Sequence, residues 1–148
     1  MENMADQASQ TVIVDASTEQ CFAVASDFEH YPDWAHDVKE ATVVSRDAQG
    51  RATQVEFRTS ALGRSTHYTL AYDYSKAPNE MSWRLVQGDI MRSIDGSYAF
   101  APAPGGGTQI TYTLSIELIV PLPGFVKRRA EVRIVNSVRD LKARIEAA

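Results

Sequence analysis

Cysteine is nearly missing from this chain. Cys21 stands alone, so no internal disulfide can form, and its setting QCFAV fits a buried, inert thiol on a helix. No run of about 18 apolar residues occurs, so no membrane-spanning helix is expected. The opening MENMADQASQ has neither the basic start nor the apolar core of a secretion signal, and residues 1–9 are expected to be a disordered lead-in. A cytoplasmic protein fits these absences. Other chemistry is missing too. There is no G-x-S-x-G elbow for a serine nucleophile. The glycine cluster Gly105 to Gly107 follows Pro104 and leads into a strand, which suits a hairpin turn and not a phosphate loop. Histidine is scarce: His30 and His36 lie six residues apart, poorly placed for one helix face, and His67 falls on a different element. A zinc site needs three or four converging ligands, so no metal and no cofactor are expected.

What is present suits one globular domain. The chain has 148 residues, enough to bury a substantial core, and residues 10–148 read as a single unit. Charge is uneven. Seven basic residues and three acids follow Phe125, so this tail carries +4 and the remainder −8. The basic residues are spaced along a helical pattern and not gathered in a block, which favours a solvated helix face over nucleic-acid binding.

The periodicity changes along the chain. QTVIVD, residues 10–15, reads as a strand whose alternation suggests cover on both faces. Ser17 is a good N-cap for a helix with Glu19 and Gln20 in its first turn, and Phe22, Ala23 and Ala25 are available to its buried face. HYPDW follows as a second short helix or turn. From Val38 the period becomes two, and strands separated by short turns follow to about residue 120. Tyr68, Leu70, Tyr72 and Tyr74 share one face of their strand. Met81, Trp83 and Leu85, then Tyr98 and Phe100, then Ile110, Tyr112 and Leu114, are in phase on theirs. An antiparallel meander is the economical topology. After PLPG, residues Val126, Ala130, Ile134, Val138, Leu141 and Ile145 form one apolar stripe over about six helical turns.

One helix cannot fully cover a curved sheet of about seven strands. The concave face would carry Tyr68, Tyr72, Tyr74, Trp83, Tyr98 and Tyr112, whose polar tips need partners when buried. Two arrangements fit: a half-wet ligand cavity between sheet and helix, or a filled core with hydroxyls at its rim.

This order of elements resembles the helix-grip fold of START-like (Bet v 1-like) proteins, an α+β fold of a curved antiparallel sheet on a long C-terminal helix, with two short helices after the first strand. DASTEQCFAVASDFEHYPDW resembles the opening of the bacterial polyketide cyclase/dehydrase family, which is grouped with coenzyme Q-binding proteins. The shared pattern D-x-x-x-Y-P-x-W falls on Asp27, Tyr31, Pro32 and Trp34. DGSYAFAPAPGGGTQITYTLSIEL and VPLPGFVKRRAE resemble its actinobacterial branch. His30 and His36 are outside the motif. The resemblance implies binding of a small, largely apolar molecule, such as a polyketide, quinone, isoprenoid or lipid. It also leaves open a cyclase or dehydratase enzyme, or a quinone- or complex-associated chaperone that uses the basic helix.

The expected cavity wall is Tyr68, Leu70, Tyr72, Trp83, Leu85, Tyr98, Tyr112, Val126, Ala130 and Ile134. The expected gate is Trp34, the turn around Leu62, and Leu122 to Phe125. For catalysis the candidates are Tyr72, Tyr98 and Arg84, with Arg58 and His67 behind them. The arginines and His67 fall out of phase with the inward residues, as do Glu56, Asp73 and Asp95, so paired-carboxylate chemistry is not indicated. The expected partner is a small hydrophobic molecule, with no nucleic acid and no membrane span; a homodimer is compatible with the sequence.

Overall fold

The structure, a computed structural model, describes residues 7–60, 65–119 and 123–147. Seven strands form one antiparallel sheet: β1 (Ala8–Val14), β2 (Val38–Arg46), β3 (Ala52–Thr59), β4 (Thr66–Asp73), β5 (Glu80–Gly88), β6 (Met91–Pro102) and β7 (Thr108–Leu118). Their spatial order is β1-β7-β6-β5-β4-β3-β2. The meander runs continuously from β2 to β7, and β1 closes the far edge by pairing Ala8 with Leu114 and Val14 with Thr108. β1 starts at Ala8, two residues earlier than its pattern suggested, because Ala8 is itself buried in that pairing. It is covered on one face only: Val14 is buried while Ile13 is 48% exposed.

Between β1 and β2 lie α1 (Thr18–Ala25) and a 3₁₀ helix (Phe28–Asp33). Ser17 caps α1 with a reciprocal pair of bonds: its hydroxyl accepts from the Gln20 amide at 3.1 Å, and the Gln20 side chain accepts from the Ser17 amide at 2.9 Å. α1 buries Cys21 and Ala25, with Phe22 half-buried, whereas Ala23 faces solvent, contrary to expectation. Ala23 is about 200° around the helix from Cys21, so one face cannot hold both.

The C-terminal helical run extends from Gly124 to Ala147 with a joint at Asn136 and Ser137, which divides it into α2 (Gly124–Val135) and α3 (Val138–Ala147). α3 keeps the expected stripe, with Val138, Leu141 and Ile145 buried. α2 does not: its buried residues are Glu131 and Val135, while Val126, Ala130 and Ile134 are half-buried. The Glu131 carboxylate accepts from the Ile116 amide of β7 at 2.9 Å, and this buried bond sets the rotation of α2. A polar anchor overrides the apolar stripe, so α2 turns the flank carrying Ala130 and Ile134 sideways across the concave face.

Candidate functional site

A cavity of about 100 Å³ lies between the concave face of the sheet and the joint of the C-terminal helices. Its inner wall comes from β3 to β7: Phe57, Leu70, Trp83, Met91, Tyr98 and Tyr112 are buried, and Tyr68 and Tyr72 keep part of their surface open. Tyr31 of the 3₁₀ helix completes this wall. The half-exposed members Trp34, Asp37, Val38, Ile134 and Ser137 form the rim.

Gly96 decides how the back wall is built. A Cβ there would lie 2.5 Å from the Trp83 ring, so only glycine lets the indole lie flat across β6. Trp83 then contacts Tyr72 at 5.6 Å, Tyr98 at 5.2 Å and Tyr112 at 5.6 Å between ring centroids. Tyr31 packs on Phe28 at 5.2 Å and on Trp34 at 4.7 Å, so the Tyr-Pro-x-Trp motif supplies a wall residue and a rim residue together.

The wall hydroxyls fall into two kinds. Tyr31 donates to the Ala25 carbonyl of α1, and the Tyr98 hydroxyl is held above the ordinary range by burial and by the neighbouring Tyr31. Tyr68 interacts with Thr59, and burial pushes its hydroxyl up to about 12. Tyr72 and Tyr112 have no hydrogen-bond partner among the described residues. Burial holds both well above the ordinary tyrosine range, with neighbouring tyrosines adding to the shift. They are therefore neutral donors at any physiological pH. Tyr74, expected on the same face, is buried but spoken for: its hydroxyl donates to the Ala52 carbonyl at 2.5 Å, and Arg51 sits 4.9 Å over its ring.

At the rim, Arg133 of α2 grips Asp37 side-on, Nη2 to Oδ1 at 2.8 Å and Nε to Oδ2 at 3.3 Å. This pair ties the segment before β2 to the last turn of α2. His36 approaches Asp140 of α3 at 3.4 Å, a second and looser tie across the same side. His30 pairs with Asp27 at 2.8 Å. The two histidines of HYPDWAHD thus serve different carboxylates, and among the described residues no group of three or more histidine, cysteine or acidic side chains is placed to hold a metal ion.

Of the residues proposed from sequence, the structure brings Trp34, Tyr68, Leu70, Tyr72, Trp83, Tyr98, Tyr112 and Ile134 to the cavity. Leu85 and Ala130 pack against the core away from it, and Val126 is half-buried on α2. Phe125 points into solvent, 68% exposed, because it lies on the side of α2 opposite the sheet. Leu62 and Leu122 lie outside the described residues. Arg84 is exposed on the outer face, in an open polar cleft with Asp47, Arg51 and Asp73. Arg58 pairs with Glu40 at 3.0 Å, and His67 is exposed. The register shift between Thr69 and Leu70 does not turn any of them inward. Phe57, Thr59 and Tyr31 were missed. Phe57 had a signal, since it shares the face of Val55 on a period-two strand; Asp37 and Ser137 had none, because only the tertiary arrangement brings their segments together.

Sequence and structure comparisons agree with this architecture. The family model described as polyketide cyclase / dehydrase and lipid transport matches residues 5–146. A START superfamily protein from Mycobacterium smegmatis superposes with a TM-score of 0.88 at 26% identity, covering 95% of this chain and 97% of that one. A Thermus thermophilus protein gives 0.79 at 19% identity, over 95% and 97% of the two chains. The Zhui aromatase/cyclase from a Streptomyces species gives 0.74 at 16% identity, over 95% and 93%, a likeness of fold alone. No curated protein matches in sequence.

Proposed function

The chain belongs to the polyketide cyclase/dehydrase and lipid-transport family, and from that premise we propose that it binds a small, largely apolar molecule bearing carbonyl or ether oxygens in the cavity under the C-terminal helices. The observation that carries this reading is the pair of unpartnered hydroxyls on half-buried Tyr72 and buried Tyr112, on either side of Trp83. A buried donor without an acceptor costs about 1–3 kcal/mol. A ligand oxygen removes that cost, and the surrounding rings supply the apolar contact. Polyketides, quinones, oxygenated isoprenoids and fatty acyl esters offer such oxygens. An ionised acid is disfavoured on the inner wall, where no cationic side chain stands among the described residues.

Size refines the proposal. A drug-sized pocket measures about 300–1,000 Å³, several times this cavity. The closed form admits a ring-sized piece of a ligand, and a larger one requires the rim to move. The Asp37–Arg133 tie and the helix joint at Asn136 and Ser137 are the elements positioned to do so.

A second reading, a cyclase or dehydratase, draws on the Tyr98 hydroxyl, which lines the cavity and, turned from Tyr31 toward a ligand, would donate to and polarise a bound carbonyl. Among the described residues the inner wall offers no histidine or carboxylate, and Asp37 at the rim is engaged by Arg133. Binding without turnover is therefore the stronger conclusion.

The test uses two probes of one shape, a naphthoquinone and naphthalene. Tyr72→Phe and Tyr112→Phe should each weaken quinone binding about fivefold to tenfold and leave naphthalene binding unchanged. Equal quinone affinity in parent and both variants would refute the donor role. Turnover of a poly-ketone analogue that drops at least tenfold in Tyr98→Phe with binding intact would establish the enzyme reading instead.

A further inference from the structure

α2 carries apolar residues on both sides. Its inner side is accounted for by Val135 and the Glu131 anchor. Its outer side is not accounted for by folding: Phe125 is 68% exposed and Val132 is 42% exposed. At 100° per residue, Phe125, Arg128, Arg129 and Val132 fall within about 100° of one another around the helix. Two apolar side chains therefore flank two guanidinium groups along one solvent-facing wedge. Phe125 is the most exposed large apolar residue among the described residues. The Lys127–Glu117 bridge at 2.8 Å seats the first turn of α2 over the end of β7, which puts Ile119, itself 49% exposed, at the same end of the molecule.

The charge of this wedge has one sign. Glu131 is the one acid of α2, and it is buried beneath, bonded to Ile116. Arg128 reaches it only at 3.9 Å, and Arg129 has no partner among the described residues. The residues after Phe125 carry +4 against −8 on the rest of the chain. A uniformly negative surface would therefore attract this end and repel the remainder, which fixes one orientation.

We propose that the outer face of α2 docks the protein peripherally on an anionic lipid surface, with Phe125 and Val132 inserted between headgroups and Arg128 and Arg129 on lipid phosphates. Guanidinium groups suit phosphate oxygens geometrically, and single apolar side chains between basic ones fit the headgroup boundary. A protein partner fits less well, since Phe125 and Val132 are separated by arginines and form no contiguous apolar centre of the kind a stable protein interface buries. Among the described residues no helix is long and apolar enough to cross a membrane, and the proposed contact is with one leaflet surface. The docking surface stands whatever the cavity holds.

The test is co-sedimentation of the full chain with vesicles of phosphatidylcholine alone and of phosphatidylcholine mixed with phosphatidylglycerol. We expect binding to the mixed vesicles only, falling steeply with added salt. Arg128→Gln/Arg129→Gln should weaken it about thirtyfold, from two lost phosphate-facing charges, and Phe125→Ala about tenfold. Phe125 and Arg129 are exposed, so Phe125→Ala should melt like the parent; loss of the 3.9 Å Arg128–Glu131 contact should lower the double variant's melting temperature only slightly, and naphthoquinone binding should be unchanged in both. Absence of binding to anionic vesicles, or binding unaltered in both variants, would overturn the proposal. So would co-purification of a single acidic protein that both variants release while vesicle binding stays absent.

Discussion

Gly96 and Trp83 show how much can rest on one missing methyl. The indole of Trp83 occupies the space where a Gly96 Cβ would stand, 2.5 Å from its ring atoms. Gly96→Ala must push the indole off β6 and toward Tyr72, Tyr98 and Tyr112, which already touch it. Overpacking of this kind costs about 1–3 kcal/mol. Because the displaced ring moves toward a cavity of about 100 Å³, the loss should appear in function as well as in stability. Thermal melts should fall by several degrees, and affinity for a naphthoquinone should drop at least tenfold. A variant that melts lower with unaltered affinity would mean that the ring relaxes away from the cavity. In the sequence, Gly96 reads only as a residue in phase with Ile94 and Tyr98; the contact that makes it necessary lies on the neighbouring strand.

Elements differ in how far their own residues announce them. The strands were legible because inward and outward positions alternate and the turns between them are short. Tyr68, Leu70, Tyr72, Trp83, Tyr98 and Tyr112 reached the cavity by that rule. α3 was legible for the same reason at the helical period. α2 was not, because its rotation follows a carboxylate–amide bond between Glu131 and Ile116 and not its apolar residues. A buried glutamate among basic neighbours looks, in sequence, like one more surface charge. The rim was illegible as well, since Asp37 and Arg133 meet only once both elements are in place. That tie predicts a kinetic effect. Asp37→Asn removes one charge of a side-on pair that bridges the two sides of the rim. Stopped-flow displacement of a bound naphthoquinone should run about threefold faster than in the parent, with little change in melting temperature, as exposed pairs add little to stability. An unchanged exchange rate would place the opening elsewhere.

At the scale of the whole molecule, the aromatic core makes the protein sensitive to alkali. Burial holds the hydroxyls of Tyr31, Tyr72, Tyr98 and Tyr112 well above the ordinary range, whereas in the unfolded chain they ionise near pH 10. Below that pH both states keep their protons, and these groups leave stability independent of pH. Above it the unfolded chain releases protons that the folded chain retains, so stability falls as pH rises. Each tyrosine contributes about 1.4 kcal/mol per pH unit, and four together about 5. A domain stable by about 5–15 kcal/mol should then lose stability steeply and unfold cooperatively as the pH rises above 10. Phenolate absorbance should rise in step with the loss of circular dichroism; ionisation of these four groups ahead of unfolding would contradict their burial.

Closure of the sheet by β1 has a consequence for how the protein comes into being. Ala8 finds its partner at Leu114, about a hundred residues further along the chain. During synthesis at about 5–20 residues per second, β1 waits roughly five to twenty seconds before β7 exists to receive it. Throughout that interval Val12, Ile13 and Val14 are an unpaired apolar strand, open to wrong partners. The strand that is made first is seated last, so correct folding of this scaffold depends on keeping its opening residues unengaged until the meander is complete.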